Sequence, residues 1–163
     1  MGTSPFIMKR IMFISSGGGH LEELLQLEPL FDKCEYSLVT EKTATTLFLR
    51  EKYKHVSYLL YGTKDHLLPY LIIFPLNILI SFVLFLRYSP EYVITTGTHT
   101  AVPMCYIAHL FKRKVVFIET MANTRKGTKA GRIVYRFADK FIVQWESMKE
   151  VYPDAEYWGC IFS

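Results

Sequence analysis

The chain has 163 residues, half of them hydrophobic and 21% charged, with a mean hydropathy of +0.16. That balance excludes a disordered or low-complexity protein, and the length is that of one domain with a sizeable core. The net charge of +4 is uneven: residues 112–140 carry nine Lys/Arg against two acids, and the rest of the chain ten against thirteen. Such a block reads either as a surface for an anionic partner or as a solvated helical face.

Taken in chain order, Met8 with Lys9-Arg10 behind it reads as a natural start, so residues 1–7 are an added extension and 8–163 a single domain. Gly2 follows Met1, but Phe6 stands where a myristoylation signal needs Ser or Thr. Residues 10–14 are the first strand, leading straight into the fold, so no secretory signal peptide is expected. A turn, Ser15 to His20, opens a helix with Leu21, Leu24, Leu25 and Leu27 on or near one face, ending near Pro29. Strands follow at 36–39, 56–60, 92–95, 115–118 and 141–143. Helices are predicted at 43–52, 101–110 and 129–137, a short one at 146–151, and an extended end at 157–159. Between the third and fourth strands lies Leu67 to Leu86, twenty residues without a charge.

This βαβ alternation predicts an α/β fold: a single Rossmann-like, doubly wound parallel sheet with helices on both faces. Ligands in such sheets bind beyond the carboxyl ends of the strands, so the loops after strands one, four and five carry the candidate site. Cys34, Cys105 and Cys160 lie far apart with no C-x-x-C spacing, which indicates reduced thiols rather than a disulfide framework or a zinc site. No metal, cofactor or nucleic-acid partner is expected.

The first loop holds Ser16-Gly17-Gly18-Gly19-His20. Glycines let the backbone approach a ligand, and a helix start offers free N–H groups to a phosphate. A tight turn accounts for one glycine more easily than for three. A dinucleotide fingerprint competes: Gly17-x-Gly19 fits its first half and Glu41 lies near the end of strand two, but Glu22 holds the third glycine position. The chain also has no Tyr-x-x-x-Lys pair. His20 reads as a general base or ligand contact, or as a capping residue. The second loop, Thr95-Thr96-Gly97-Thr98-His99-Thr100, suits a polar ligand or helix capping. The third places Glu119 at the sheet top, followed by Asn123, Arg125 and Lys126. Glu119 is a second candidate base, or a structural carboxylate holding the basic loop. Lys129, Arg132 and Arg136 have the spacing of one helix face.

As one helix, Leu67 to Leu86 would be about 30 Å long, the thickness of a bilayer core. Strands of one sheet on both sides, and Pro75 within it, argue against a span. An interfacial helix and a helix buried on the sheet or in a subunit interface both remain open. In the interfacial reading Phe74, Ile78, Phe82 and Phe85 touch the membrane and Arg87 anchors the end.

The motifs Ser16-Gly17-Gly18-Gly19-His20-Leu21, Thr96-Gly97, Ile118-Glu119-Thr120, Ala138-Asp139 and Tyr157-x-Gly159 occur in order over nearly the whole chain. In this the chain resembles the PssD-like family of bacterial exopolysaccharide and capsule biosynthesis. It is similar to the membrane-anchoring subunit of the eukaryotic two-part transferase that adds the second N-acetylglucosamine to dolichol-linked sugar. More distantly it resembles the N-terminal half of MurG-type glycosyltransferases; Thr98 and His99 after Gly97 depart from that pattern. The resemblance implies the N-terminal, acceptor-binding half of a GT-B glycosyltransferase on the cytoplasmic face of a bacterial plasma membrane, with a partner subunit binding the nucleotide-sugar donor. It further implies that Ser16, Gly17, Gly18, Gly19, Thr96, Gly97, Thr98, Asn123, Arg125 and Lys126 meet a lipid-pyrophosphate-linked sugar, and that His20 or Glu119 is the base. The aromatic end, with Tyr157, Trp158, Ile161 and Phe162, is the expected docking strip for the partner, or else packs on its own sheet. Two alternatives accompany this reading: a non-catalytic membrane scaffold that recruits the donor-binding subunit, and a small nucleotide-binding oxidoreductase.

Overall fold

The computed structural model describes residues 8–62 and 67–162, so the reading of 1–7 as an extension lies outside the described residues. Seven strands form one sheet in the order β3-β2-β1-β4-β5-β6-β7, every pair parallel. They are β1 (Arg10–Ile14), β2 (Glu35–Glu41), β3 (Val56–Leu59), β4 (Tyr92–Thr95), β5 (Lys114–Ile118), β6 (Lys140–Val143) and β7 (Glu156–Tyr157). The helices are α1 (Gly19–Leu25), α2 (Leu49–Lys52), α3 (Leu67–Tyr88), α4 (Val102–Leu110) and α5 (Lys129–Val134).

Strand alternation divides the core between the two faces. Met12 and Ile14 of β1 join a core built with α3, α4 and α5, which includes Phe85, Met104, Val134 and Tyr152. Phe13 joins the other, with Leu21 and Leu24 of α1 and Leu49 and Tyr53 around α2. The strand order reverses between β1 and β4. Ile14 is in register with both Val39 and Thr95, so β1 and β4 end at one level, while β2 runs two residues further, to Glu41. This switch point is where an open α/β sheet leaves a crevice.

Two predicted helices are shorter than their patterns. The helix expected over 43–52 forms only at Leu49–Lys52, because the Thr46 hydroxyl bonds back to the carbonyls of Glu41 (2.7 Å) and Thr43 (3.1 Å) and holds a turn instead. The helix expected over 129–137 ends at Val134, whose carbonyl accepts from both Phe137 and Ala138 N–H. Arg136 therefore lies beyond it, and Lys129, Arg132 and Arg136 are three exposed cations rather than one helical stripe.

The uncharged stretch is a single 22-residue helix, about 33 Å long at 1.5 Å per residue. By length and composition its 71–88 portion could cross a bilayer. It lies instead along the domain. Asn77, Ser81, Leu84 and Phe85 face inward, and the Asn77 amide clamps Leu60 through two 2.8 Å bonds to its N–H and carbonyl. Outward stand Ile72, Leu76, Leu79, Val83 and Leu86, and the ridge continues on Leu110, 74% exposed, and Phe111. This corrects the expected membrane contacts. Phe85 is buried, its ring 5.1 Å from that of Phe111, and Phe74 is half-buried; Ile78, Phe82 and Arg87 are exposed. The expected stripe is thus exposed only in part, because an almost wholly apolar helix offers little polar pattern to orient it.

Candidate functional site

At the end of β1 the chain turns through Gly17 and Gly18 into α1. Gly18 has φ 71° and ψ −145°, a conformation open essentially only to glycine, and its carbonyl accepts from the N–H groups of Leu21 and Glu22. Gly19 has no such backbone need. A Cβ built at Gly18 or Gly19 would meet nothing within 4 Å, and both residues are exposed. Nothing in the chain's own packing requires a bare backbone at Gly19, which is what a site for close ligand approach requires. Gly17 differs: its N–H is turned to the Glu41 carboxylate, and the Ser16 hydroxyl makes a long bond to its carbonyl.

The threonine loop supports the glycine loop. Thr96 Oγ1 donates to the His20 carbonyl at 2.6 Å, and Thr98 Oγ1 accepts from Thr100 N–H at 3.0 Å. Both threonines are buried, so their hydroxyls, expected on an acceptor, are used inside the protein. Gly97, at φ 73°, lies against the end of β5: a Cβ there would sit 3.3 Å from the Ile118 carbonyl and the Thr120 nitrogen. The loops after β1, β4 and β5 are thereby packed into one unit.

Three carboxylates lie beneath it. Glu119 was expected as a candidate base, but it is 1% exposed and accepts four hydrogen bonds, from Thr120 N–H, Thr128 N–H and hydroxyl, and the Tyr152 hydroxyl at 2.9 Å. It holds the 120–128 loop and has no opening toward a substrate. Burial, then the Glu119 charge beside it, pushes the Tyr152 phenol far up. Glu23 on α1 accepts from Thr120 Oγ1 (2.7 Å), Met121 N–H and Gln144 Nε2. Glu41 accepts from Thr100 Oγ1 at 2.6 Å; burial raises its pKa, against the opposing pull of Thr100, the Gly17 N–H and His20. Glu41, the acid that a nicotinamide reading would place on a ribose, is buried and bonded to the chain's own groups.

His20 is half-buried at the start of α1, and its Nδ1 is buried without a hydrogen-bond partner. Asn123 is half-buried, while Arg125 and Lys126 are exposed on the same loop, which is pinned by Trp145 Nε1 to the Met121 carbonyl (2.7 Å) and Ser147 Oγ to the Thr124 carbonyl (2.6 Å). A groove lined by Gly17, Gly18, Glu41, Lys42, Thr45 and Tyr61 opens beside the glycine loop, and a smaller one runs from Glu41 to Phe74 and Asn77 on α3. Sequence reasoning missed Glu23, Gln144 and Tyr152, which lie on other elements and meet only in the fold. Gly127 and Gly131 were the available signal, since Cβ atoms there would collide with the Tyr152 hydroxyl.

At the carboxyl end, β7 pairs with β6, and Tyr157, Trp158 and Phe162 stay exposed with Ile161 half-buried. Lys140 Nζ sits 4.7 Å from the Trp158 ring, and Ile161 N–H donates to Gln144 Oε1 at 2.8 Å. The backbone of this segment is used by its own sheet, and Trp158 also packs there, its Nε1 donating to Glu156 Oε2 at 2.9 Å, while the side chains of Tyr157 and Phe162 stand exposed. Among the described residues no group of three or more His, Cys, Asp or Glu could hold a metal ion.

Comparison with known proteins gives a consistent picture. The profile of the family described as oligosaccharide biosynthesis protein Alg14 like matches residues 67–161. A Candida albicans protein named UDP-N-acetylglucosamine transferase subunit ALG14 is 26% identical over 93% of this chain and 78% of its own length. The human protein of that name is 35% identical over 50% of this chain and 41% of its own. Among solved structures, Acinetobacter baumannii MurG superposes with a TM-score of 0.71 at 15% identity, over 93% of this chain and 45% of MurG. The UDP-N-acetylglucosamine 2-epimerase of Rickettsia bellii gives 0.73 at 14% identity, over 95% and 46%. The chain thus spans less than half of these solved structures and of the human relative, and the structural likenesses establish the fold alone: that of one half of a GT-B protein.

Proposed function

The chain belongs to the Alg14-like family of oligosaccharide biosynthesis proteins, and from that premise we propose that it is the membrane-associated, acceptor-binding subunit of a heteromeric glycosyltransferase. The observation that carries this reading is the exposed, unobstructed backbone of Gly18 and Gly19 at the switch point of the sheet, in a domain whose α3 also presents an exposed apolar ridge. The ridge holds the domain at the cytoplasmic membrane surface, and the glycine loop receives the pyrophosphate or first sugar of a lipid-linked acceptor. A partner subunit, docked on Tyr157, Trp158, Ile161 and Phe162, supplies the donor site. The name of the relatives points to UDP-N-acetylglucosamine as the donor. Bacterial exopolysaccharide or capsule synthesis is the setting that the order of the motifs resembles.

The chemistry assigned to the site is transfer of the donor sugar to an acceptor hydroxyl. The hydroxyl oxygen bonds to the anomeric carbon, the bond from that carbon to the nucleoside diphosphate breaks, and the hydroxyl proton passes to His20. Glu119 and Glu41 position the loops around His20 rather than touch the acceptor. Asn123, Arg125 and Lys126 flank the anion.

The test is reconstitution of the full chain with a donor-binding GT-B subunit and a lipid-pyrophosphate sugar. The chain alone is expected to transfer little sugar, and His20→Ala in the complex to lower kcat by roughly 10²–10⁴, the usual contribution of a positioned base. Efficient transfer by the chain alone would refute the subunit reading. Full activity of both His20→Ala and Gly19→Ala complexes would leave only a membrane scaffold.

A further inference from the structure

At the amino-terminal end of the strands, opposite the glycine loop, a cavity opens between the first residues of β1 and β2 and the end of α3. Arg10, Tyr36, Ser37, His55, Arg87 and Tyr88 line it. A second opening shares His55, Arg87 and Tyr88 with it and adds Arg50 and Lys54. Lys9 is paired with Glu91 at 3.2 Å, Lys52 with Glu28 at 3.1 Å and Lys114 with Asp139 at 2.6 Å, whereas Arg50, 4.7 Å from the centroid of the Tyr58 ring, and Lys54 have no ion pair among the described residues. Among the described residues the guanidinium groups of Arg10 and Arg87 have no ion pair within 4 Å, and Arg10 Nε is buried with no hydrogen bond; the Glu91 carboxylate, which accepts the Arg10 backbone N–H at 3.1 Å, feels the Arg10 charge without pairing with it. Arg87 lies 5.5 Å from the centroid of the Tyr88 ring, and the Tyr88 hydroxyl is held 2.8 Å from that of Ser57. His55 is kept at φ 56°, a left-handed conformation that is costly for a non-glycine residue. One carboxylate, Glu35, also lines the cavity, and it is exposed.

A buried donor without a partner is unfavourable, and a guanidinium fork matches phosphate oxygens better than any other common anion. We propose that this cavity is a second anion site, which binds a phosphate group between Arg10 and Arg87 against the rings of Tyr36 and Tyr88. It is separate from the glycine loop and stands whether or not that loop binds an acceptor. Two sources fit the chemistry. Because Arg87 follows directly on Leu86 of the exposed α3 ridge, one is the head group of an anionic phospholipid; the other is a soluble phosphate ester.

The test uses the full chain. Inorganic phosphate and sn-glycerol 3-phosphate are titrated calorimetrically into wild type, Arg10→Gln, Arg87→Gln and the double variant, with thermal melting as the check on folding. Saturable binding is expected, weakened about tenfold by each single change, the equivalent of one charge-assisted hydrogen bond, and lost in the double variant. Gly19→Ala should leave this binding intact, which separates it from any failure of the acceptor site. Co-sedimentation with phosphatidylcholine vesicles, with and without phosphatidylglycerol, then separates the sources. Extra capture by phosphatidylglycerol that the double variant loses identifies a lipid head group. Equal capture of both proteins, with phosphate affinity lost only in the variant, identifies a soluble ester. The proposal is overturned if wild type binds neither phosphate compound and gains nothing from phosphatidylglycerol, or if the double variant binds as wild type does.

Discussion

Two glycines on opposite sides of the candidate site should respond to the same substitution in opposite ways. At Gly131, inside α5, an added Cβ would fall 2.3 Å from Glu119 Oε2, 2.6 Å from the Tyr152 hydroxyl and 2.9 Å from Thr128 Oγ1. None of these atoms is the free end of a mobile chain; all three belong to the network that holds Glu119. Gly→Ala within a helix ordinarily stabilises by about 1 kcal/mol. Against that stand about 1–3 kcal/mol for overpacking and about 1.5–3 kcal/mol for a disrupted hydrogen bond to a charged group. The net expectation for Gly131→Ala is a loss of about 3 kcal/mol, which for a domain of this size lowers Tm by roughly 6–12 °C. At Gly19 the added methyl meets nothing and φ is unstrained, so Gly19→Ala should stay within about 0.5 kcal/mol of wild type while weakening acceptor binding. Thermal and guanidinium denaturation of both variants measure the first quantity, and acceptor titration the second. A Gly131→Ala variant as stable as wild type would show that helix propensity outweighs the packing around Glu119, and the account of that network would fail.

Tyr152→Phe keeps the ring and removes the hydroxyl bonded to Glu119, so a destabilisation of about 1–3 kcal/mol is expected in urea denaturation, and an unchanged midpoint would contradict it. The pKa of Glu41 is raised, mainly by burial, so its contribution to stability is complete below the ordinary carboxylate value and is lost as the pH rises through the folded value. Relative to wild type, Glu41→Gln should therefore gain stability as the pH is raised above about 4.5, the reference value; parallel pH–stability curves would count against a raised pKa. Leu79→Glu with Val83→Glu, both on the exposed side of α3, should leave the Tm nearly unchanged and weaken vesicle binding at least tenfold, given about 1.5–3 kcal/mol for each apolar side chain buried. Unchanged co-sedimentation would remove the membrane role of that face.

The alternation of short β-branched runs with helical patterns was enough to predict the doubly wound sheet, because central parallel strands are apolar on both faces and their helices carry a different period. The glycine loop was legible too, since Gly17-Gly18-Gly19 between a strand and a helix has few uses. The division of labour within it was not. Gly17 turns its N–H to Glu41, Gly18 has a special conformation and only Gly19 has no demand from the fold, a distinction made by backbone angles and neighbours. Glu119 shows the same limit. Its position at the end of β5 follows from sequence, but its partners Thr128 and Tyr152 arrive from other elements and turn a candidate base into an anchor. The apolar helix was visible as composition, whereas its outward face was not, since a helix with almost no polar residues has no periodicity to read. The unpaired Arg10 and Arg87, 77 positions apart in sequence, become one site only when parallel strand β1 and the returning end of α3 bring them to the same end of the sheet. Local pattern and composition thus determined the elements, their order and the glycine-bearing end of the sheet. Which carboxylates are buried, which face of α3 is bare and which cations lack partners were decided by tertiary packing, because each depends on contacts between residues far apart in the chain.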